Sequence, residues 1–473
     1  MDTRNLETDY LIIGSGAVGM AFTDTILNET DASIIIVDQH HKPGGHWNDA
    51  YSFVTLHQPS AFYGVSSTEL SSGRLDEFGL NKGLHELASG PEVLAYYDQV
   101  MRHQFLTSGR VQYFPMCKYQ GNSSFSSITS KQTFNVNVKN KIVDCTYFKT
   151  SVPATHTPNF EIGENVEFLP LNNLPGLTSA RDAYVIVGGG KTGIDACLWL
   201  LEHQVNPDLI YWIMPRDAWW IDRVNTQQSR AFFNQSVGAQ ASQLEAIGQA
   251  ENMLDLFKRL EKSGVLMRLD QNVRPTMFHG ATVSRDELKQ LRRIQNVIRK
   301  GRVKKLSKQG IDFNQEHLVM PENTVYIDCS ACAIAATKTF PIFEKTKITI
   351  QTVRSFQPIF SASFIAHIEA NYHDQIEKND ICQVVPLPNH DYDWLLGMAA
   401  QMRNQQRWSK EDGLRQWMMD NRLDGFTKLL TPNENSTAEE LETFKRIKAA
   451  IPSVLENMPK LVEEIMSKPK ILN

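Results

Sequence analysis

The sequence predicts an α/β protein built on two parallel-sheet units with a helical C-terminal extension, and two stretches carry this prediction. In the first, the apolar run 11–13 enters the glycine turn 14–19, a helix-compatible segment follows, and a second apolar run ends on Asp38. In the second, the apolar run 183–187 enters the glycine turn 188–193, which is again followed by a helical segment and an apolar run. Strand, glycine turn, helix and strand in this order are typical of a Rossmann-like unit. Because the pattern occurs twice, a chance match is a poor explanation of either copy.

The first glycine turn has the spacing G-x-G-x-x-G, and each glycine has a physical reason to be there. Gly14 allows the tight turn, Gly16 lets the backbone approach a pyrophosphate, and Gly19 lets the helix and the strand pack closely. The helix N-terminus supplies unpaired N–H groups and the positive end of a dipole. Asp38, at the tip of the second strand, is placed to accept hydrogen bonds from ribose hydroxyls. This unit is therefore predicted to bind a dinucleotide.

Composition and charge exclude several classes of protein. A chain of 473 residues is too long for one compact core, and 41% apolar with 21% charged residues describes an ordinary soluble protein. The net charge of −5 argues against bulk binding to nucleic acid. We expect no membrane span and no signal peptide, because the apolar segment near the N-terminus contains the glycine turn. The scattered cysteines fit a reducing cytoplasm.

A second glycine-containing loop follows Asp38 directly. Gly44 and Gly45 precede His46 and Trp47, an arrangement in which backbone comes close to a flat or bulky group. A simple β-turn with a packed tryptophan is the alternative. The glycine turn, the acid at the strand tip and this Gly-Gly-x-Trp sequence together resemble the FAD domain of flavin-containing monooxygenases and of their Baeyer–Villiger and N-hydroxylating relatives.

The resemblance implies two dinucleotide-binding domains, with an NADPH domain inserted into an FAD domain. We expect the first part of the FAD domain over residues 1–175 and the NADPH domain, with a helical insertion, over 176–325. The second part of the FAD domain and a helical tail are expected over 326–473. The run 324–332 is predicted to be the strand on which the chain returns to the first domain.

In the second unit, the residues expected to contact the nicotinamide cofactor are Gly188, Gly190, Lys191, Thr192 and Gly193. Lys191 is placed either near the pyrophosphate or toward solvent.

The strand after this turn ends in Pro215-Arg216, with no acid at its tip. An arginine there suits the 2′-phosphate of NADPH, which a carboxylate would repel. The alternative is a surface arginine that pairs with Asp217. The aromatic residues and the arginine in 218–223 resemble the corresponding stretch of Baeyer–Villiger enzymes and favour the phosphate role.

The catalytic candidates are His57 and Gln58, in a segment that the family places beside the flavin ring. Members of the family with an asparagine near this point use it to hydrogen-bond the flavin or its peroxide. A structural role for His57 is the alternative. The sequence also departs from the family, because the stretch 160–177 lacks the fingerprint histidine and His156 replaces a hinge glycine. The first departure bears on oxygenation and not on flavin binding.

The predicted function is an FAD-dependent, NADPH-oxidising oxidoreductase that oxygenates a small organic substrate with O2 through a flavin C4a-(hydro)peroxide. One alternative is a flavoprotein reductase that passes electrons onward, with Cys329 and Cys332 as a C-x-x-C dithiol. For this pair we favour the interpretation that both are packed cysteines that follow a buried strand. Another alternative is a nucleotide-sensing protein that keeps FAD for its structure. A homo-oligomer is left open.

Sequence signals also mark helix starts outside the two glycine units. Proline at the first turn predicts a helix that begins after Ser89, and the spacing of Ser284 and Glu287 predicts a capping box. Two tail helices are expected, one opening near Ser436 and another after Pro452.

Overall fold

The structure, a computed structural model, describes residues 3–331 and 338–467. The strands of this part of the chain are, in order, β1 (Thr3–Ile13), β2 (Ile34–Val37), β3 (Val111–Phe114), β4 (Cys117–Gly121), β5 (Ser124–Ser127), β6 (Thr133–Asp144), β7 (Glu161–Ile162), β8 (Glu167–Pro170), β9 (Ala183–Val187), β10 (Ile210–Ile213), β11 (Trp220–Asp222), β12 (Leu266–Met267), β13 (Thr282–Val283), β14 (Asn296–Ile298), β15 (Lys305–Ser307), β16 (Gly310–Asp312), β17 (His317–Val319), β18 (Thr324–Asp328) and β19 (Lys347–Thr349).

The α-helices of the described residues alternate with these strands in the first half of the chain and dominate its last third. They are α1 (Ala17–Glu29), α2 (Gly90–Val100), α3 (Lys191–Glu202), α4 (Phe233–Gln249), α5 (Met253–Lys262), α6 (Arg285–Leu291), α7 (Pro358–Asn371), α8 (Gln375–Ile381), α9 (Asp393–Trp408), α10 (Asp412–Asp420) and α11 (Ala438–Ser467).

Two sheets organise the molecule. The first has the order β3-β2-β1-β6-β5-β4, and β19 pairs with β6. Strands β1, β2, β3, β6 and β19 are parallel, while β4 and β5 add an antiparallel edge. The second sheet has the order β14-β10-β9-β18-β8 and is parallel throughout. The predicted fold class, α/β with two Rossmann-like units and a helical C-terminal region, is confirmed.

Both faces of each sheet are covered, which explains the continuous apolar runs in the sequence. In β1, Tyr10 and Ile12 pack into the large core shared by both units, while Leu11 packs on the opposite face with Phe125 and Phe134. Alternate residues of a strand point to opposite faces, so a strand buried on both sides has no polar alternation.

The strand β18 corrects one prediction. The run 324–332 was expected to return the chain to the first domain, but its strand, 324–328, lies in the second sheet between β9 and β8. The return is made by the short strand β19, which pairs with β6 through Lys347–Thr349. The apolar run of β18 predicted a buried strand, but a local sequence pattern does not determine which strands pair with it. The division of the chain at 175 and 325 stays a prediction.

The C-terminal tail corrects a second prediction. A single helix, α11, extends over Ala438–Ser467 with Pro452 and Pro459 inside it, where two helices were expected. A proline in a helix removes one backbone hydrogen bond and normally ends or kinks it. Here the apolar face of α11 packs with α4, α5 and α9 in a separate core cluster that includes Val454, Met458 and Leu461. This packing holds the helix together across both prolines.

The two predicted helix starts outside the glycine units are confirmed. Ser89 and Glu92 form a capping box at the start of α2, with a proline in its first turn. Ser284 and Glu287 form a second capping box at the start of α6. In both boxes each side chain accepts from a backbone N–H of the other residue.

Candidate functional site

The three glycines of the first turn have distinct steric surroundings. Gly14 has a φ of +100°, a conformation that L side chains rarely adopt. A Cβ on Gly19 would lie 2.0 Å from the carbonyl oxygen of Gly14, so α1 packs directly on the turn. A Cβ on Gly16 would meet only Gly45, with its Cα at 3.5 Å, which is ordinary contact. Gly14 and Gly19 are therefore required by the fold, whereas Gly16 leaves an open cradle.

The Gly-Gly-x-Trp loop closes against this cradle. Gly45 has a φ of +56°, and a Cβ on it would lie 3.0 Å from the Cα of Gly16. The N–H of Gly44 donates to the carbonyl oxygen of Ser15 at 2.9 Å. Trp47 is buried, and its Nε1–H donates to the hydroxyl of Tyr63 at 2.5 Å. The two glycine motifs thus form one backbone-lined surface.

Asp38 lies beside this surface and is buried. Its Oδ2 accepts from the N–H of Ser15 at 2.6 Å and from the Ser15 hydroxyl at 2.9 Å. Its Oδ1 accepts from the N–H of His40 at 2.8 Å and lies 2.9 Å from His40 Nδ1. Burial alone would raise the pKa of this carboxyl group, but the bonds from His40 and Ser15 outweigh it and lower the pKa. Asp38 is therefore an ionised acceptor.

His40 connects Asp38 to a second carboxylate. Its Nε2 lies 2.9 Å from Oδ2 of Asp49. The hydrogen bond to Asp38 raises the pKa of His40 to about 9, with burial opposing and Asp49 adding to the rise. A positively charged imidazole therefore stands beside the tip of β2 at neutral pH. Ser15, His40 and Asp49 were not among the predicted site residues, because nothing in their spacing distinguishes them from loop residues.

Both glycine-unit helices begin without a side-chain cap. The N-cap residues are Gly16 for α1 and Gly190 for α3, and neither helix has an acidic residue in its first turn. The helices α2 and α6, by contrast, are closed by capping boxes. The first N–H groups of a helix need partners, and an anion such as a phosphate can provide them. The geometry at α1 and α3 fits a pyrophosphate at each.

The second glycine turn repeats the steric plan of the first. Gly188 has a φ of +136°, and a Cβ on Gly193 would lie 2.1 Å from the Gly188 carbonyl oxygen. Gly190 faces open space, with no atom of the described residues within 4 Å of an added Cβ. Gly188 and Gly193 thus shape the turn, and Gly190 provides room for a ligand.

Lys191 turns toward its own helix and not toward solvent. Its Nζ forms an ion pair with Asp195, and the side chain is only 12% exposed. The hydroxyl of Tyr51 donates to the other oxygen of Asp195 at 2.5 Å. Tyr51 belongs to the first unit, so this cluster joins the two glycine units. Thr192 follows at the helix start and is half-buried.

Arg216 lies at the carboxyl end of β10 and is half-buried. The alternative in which Asp217 pairs with it is wrong, because Asp217 binds Arg299 through two hydrogen bonds of 2.8 and 3.0 Å. Arg216 instead donates from Nη2 to Oδ1 of Asn389 at 2.8 Å. Its Nη1 is buried and has no hydrogen-bond partner among the described residues. A buried unpaired donor of this kind is costly unless a ligand satisfies it.

The catalytic candidates His57 and Gln58 are half-buried and lie beside the second unit. Burial, followed by the charges of Lys191 and Arg223, lowers the pKa of His57 well below its usual value. Arg223 is fully buried and donates to the carbonyl oxygen of His57 at 3.1 Å. His57 is therefore a neutral imidazole at neutral pH.

The predicted site residues fall into two groups. Around the start of α1 the structure brings together Gly14, Gly16, Gly19, Asp38, Gly45 and Trp47. Around the start of α3 and the end of β10 it places Gly188, Gly190, Lys191, Thr192, Gly193 and Arg216. His57 links the groups through its proximity to Lys191.

Cys329 does not have the properties of a reactive thiol. It is buried at the end of β18, and burial raises its pKa well above the usual value. Cys332 lies outside the described residues. The described part of the chain contains no cluster of histidine, cysteine or acidic side chains suited to a metal ion. Over the same residues, the helices are too short or too polar to span a bilayer.

Two sets of relatives are known from sequence comparison. An uncharacterized protein of Mycobacterium tuberculosis, Rv2000, is 44% identical over 429 residues, which cover 91% of this chain and 80% of that protein. The Mycobacterium bovis protein Mb2023 matches over the same extent at the same identity. A more distant relative is the uncharacterized oxidoreductase CzcO of Bacillus subtilis, 23% identical over 46% of this chain and 61% of that protein. No protein-family model matches the chain.

Among solved structures, similar chains include a variant of a flavin monooxygenase from Stenotrophomonas maltophilia, at 12% identity and a TM-score of 0.46. It covers 78% of this chain and 100% of its own length. The polycyclic ketone monooxygenase of Thermothelomyces thermophila matches 99% of this chain and 89% of its own, at 11% identity and a TM-score of 0.46. The bacillithiol disulfide reductase of Bacillus cereus matches 78% and 100%, at 13% identity and 0.42.

Proposed function

The chain belongs to the family of the mycobacterial proteins Rv2000 and Mb2023, and from that premise we propose that it is an FAD-dependent, NADPH-oxidising oxidoreductase. The observation that carries the proposal is the pair of glycine turns, each ending in an uncapped helix N-terminus with room for a phosphate group. We further propose a monooxygenase reaction, in which one atom of O2 passes to a small organic substrate and the other leaves as water. NADPH supplies the two electrons for this reaction.

The first unit would hold FAD. The backbone of Gly16 and Gly45 forms the cradle for the pyrophosphate, and the first N–H groups of α1 point toward it. Ionised Asp38, fixed by Ser15 and His40, lies where a ribose would be recognised. Trp47, held by Tyr63, provides a flat apolar wall. When bound, FAD supplies the capacity to accept a hydride from NADPH and to react with oxygen.

The second unit would hold NADPH. Gly190 leaves room at the start of α3 for its pyrophosphate, and the ion pair of Lys191 with Asp195 stands at the same helix end. Arg216 carries a buried Nη1 without a partner among the described residues, which suits the 2′-phosphate. In an NAD-binding protein a carboxylate would stand at this strand tip.

Residues between the two units would position the reacting groups. Tyr51 and Asp195 tie the first unit to the second through a 2.5 Å hydrogen bond. His57 stays neutral because burial and the nearby cations disfavour its protonation. Its neutral ring can donate one hydrogen bond and accept another at this junction without adding a charge. Gln58 adds an amide donor and acceptor next to it. We propose that these two residues orient the reacting groups, as the resemblance implied.

Replacement of Arg216 tests the cofactor assignment. A charge-assisted hydrogen bond contributes roughly 1.5 to 3 kcal/mol, so Arg216→Ala should weaken NADPH binding about ten- to a hundred-fold. NADH has no 2′-phosphate and should be nearly unaffected. The measurement is the rate of flavin reduction under anaerobic conditions as a function of the concentration of each nucleotide. Equal losses for NADH and NADPH would assign Arg216 a structural role, and no loss for either would place the nucleotide elsewhere.

A further inference from the structure

A hydrogen bond between the NADPH unit and the C-terminal region suggests how the phosphate site is regulated. Arg216 donates from Nη2 to Oδ1 of Asn389 at 2.8 Å, and Nε2 of His279 lies 3.1 Å from the same oxygen. Burial lowers the pKa of His279, so its neutral ring donates from Nε2. One amide oxygen therefore accepts from two side chains that converge on it. The second guanidinium nitrogen of Arg216, Nη1, has no partner among the described residues.

The guanidinium group of Arg216 has no carboxylate bound to it. Arg216 forms no ion pair in the described part of the chain, and Asp217 is bound by Arg299. The carboxylate of Asp393 accepts from the backbone N–H groups of Asn389 and His390, both at 2.8 Å. Burial and then the charge of Arg302, which follows β14 at the same end of the sheet, lower the pKa of Arg216, while Tyr392 and Asp393 raise it. The side-chain partner of this cation is thus one neutral oxygen.

The backbone that carries Asn389 is fixed, and its side chain is attached to Arg216 and His279 through this oxygen. Met277 forms an antiparallel bridge with His390 and a parallel bridge with Ala218. The N–H of Asp391 donates to the carbonyl oxygen of Thr276 at 3.2 Å. Rotation of the Asn389 side chain would free Arg216 without breaking these backbone contacts.

We propose that the side-chain oxygen of Asn389 stands in for an oxygen of the 2′-phosphate of NADPH and is displaced when the cofactor binds. The proposal rests on the proposed function and deepens it. A phosphate monoester offers three acceptor oxygens, enough for Nη1 and Nη2 of Arg216 and for Nε2 of His279, with Arg302 nearby. The negative charge of the phosphate adds an attraction to the guanidinium group that the neutral amide oxygen lacks. The C-terminal segment is therefore a built-in competitor that sets the affinity for the phosphate.

The test uses two variants and two ligands that differ by one group. Binding of adenosine 2′,5′-bisphosphate and of 5′-AMP to the FAD-loaded protein is measured by isothermal titration calorimetry. Asn389→Ala removes the competing oxygen, so the bisphosphate should bind about two- to tenfold more tightly. Asn389→Asp places a carboxylate on Arg216, which competes for the guanidinium group and repels phosphate. The bisphosphate should therefore bind at least about tenfold more weakly. Neither variant should change the affinity for 5′-AMP, which lacks the 2′-phosphate.

Asn323→Asp is the matched control, because it adds the same charge at an exposed position before β18 and should leave both affinities unchanged. Weaker bisphosphate binding by Asn389→Ala would make Asn389 a ligand of the phosphate and overturn the competitor role. Unchanged binding by Asn389→Asp would overturn it as well. Failure of the proposed function looks different. In that case the unmodified protein would bind both ligands equally, or Arg216→Ala would leave the bisphosphate affinity unchanged.

Discussion

Gly16 and Gly190, the N-cap residues of α1 and α3, differ from the other glycines of their turns in what surrounds them. Gly14 and Gly188 adopt positive φ angles, and Gly19 and Gly193 lie against the carbonyl oxygens of those residues. A methyl group on Gly19 or Gly193 would force helix and strand apart. Gly16 and Gly190 have an ordinary φ and either open space or only another glycine nearby. The contacts within the fold do not require a glycine at either position, whereas a ligand close to the backbone would.

Because of this difference, substitutions at the two kinds of glycine should separate loss of the cofactor from loss of the fold. We expect Gly16→Ala to fold and to lose FAD, because the added methyl group contacts only Gly45 within the protein but fills the cradle. Gly19→Ala should be strongly destabilised, since its Cβ would lie 2.0 Å from a backbone oxygen. The measurement is the flavin content after purification together with the urea midpoint of FAD-free protein, because bound FAD itself stabilises the fold. Gly16→Ala with full flavin content would contradict the FAD assignment.

His40, which lies beside the first glycine turn, makes the free energy of unfolding depend on pH. Its bond to Asp38 raises its pKa to about 9 from an ordinary value of 6.5. A histidine with a raised pKa in the folded protein binds its proton more tightly there than in the unfolded chain. Its stabilising effect is therefore complete below 6.5 and is lost as the pH rises through about 9.

We expect the urea midpoint of the FAD-free protein to fall across this pH range and His40→Gln to flatten the dependence. Comparing the two proteins cancels the contribution of other titrating groups. The same slope in both would show that His40 does not link the two carboxylates in solution.

At the level of secondary-structure elements, Arg223 joins parts of the chain that are far apart in sequence. It is fully buried at the end of β11 and binds Glu287 of α6 through two hydrogen bonds, of 2.9 and 2.7 Å. It also donates to the carbonyl oxygen of His57 and to the side chain of Asn81, at 3.1 and 3.2 Å. The segment that carries His57 is thus held against the second glycine unit.

Removing this arginine should leave Glu287 as an unpaired buried charge. We expect Arg223→Ala to lower the free energy of unfolding by roughly 3 to 5 kcal/mol. Arg102→Ala, which breaks an exposed pair with Asp98 on one turn of helix, should cost about 0 to 1 kcal/mol. Urea unfolding of both variants provides the comparison. A cost for Arg223→Ala as small as that for Arg102→Ala would mean that water replaces its contacts.

For the whole molecule, the sequence predicted those features that depend on neighbouring residues in the chain. The two strand–glycine–helix–strand units, the helix start after Ser89, the capping box at Ser284 and the uncapped start of α1 all follow from local spacing. The sheet to which β18 belongs was missed, because an apolar run predicts burial but not which strands pair with it. The single tail helix was missed because packing of α11 on α4 and α5 outweighs its prolines.

The candidate site could be predicted from the sequence to the same extent as the fold. The glycines, Asp38, Trp47 and Arg216 could be named from motifs, because each motif keeps its residues close in sequence. Asn389 and His279 could not, since they reach Arg216 only through pairing of distant segments. The partner of Asp217 was missed for the same reason, as Arg299 comes from the end of another strand. Residues brought together by folding leave no periodic signal in the chain.

The central claim is that one chain holds FAD and NADPH so that a hydride passes between them. The most direct measurement is anaerobic mixing of the FAD-loaded protein with stoichiometric NADPH, followed through the visible absorbance of the bound flavin. We expect the absorbance to bleach fully with NADPH and to recover when oxygen is admitted. Protein that carries FAD and binds NADPH but keeps its flavin absorbance would contradict the claim.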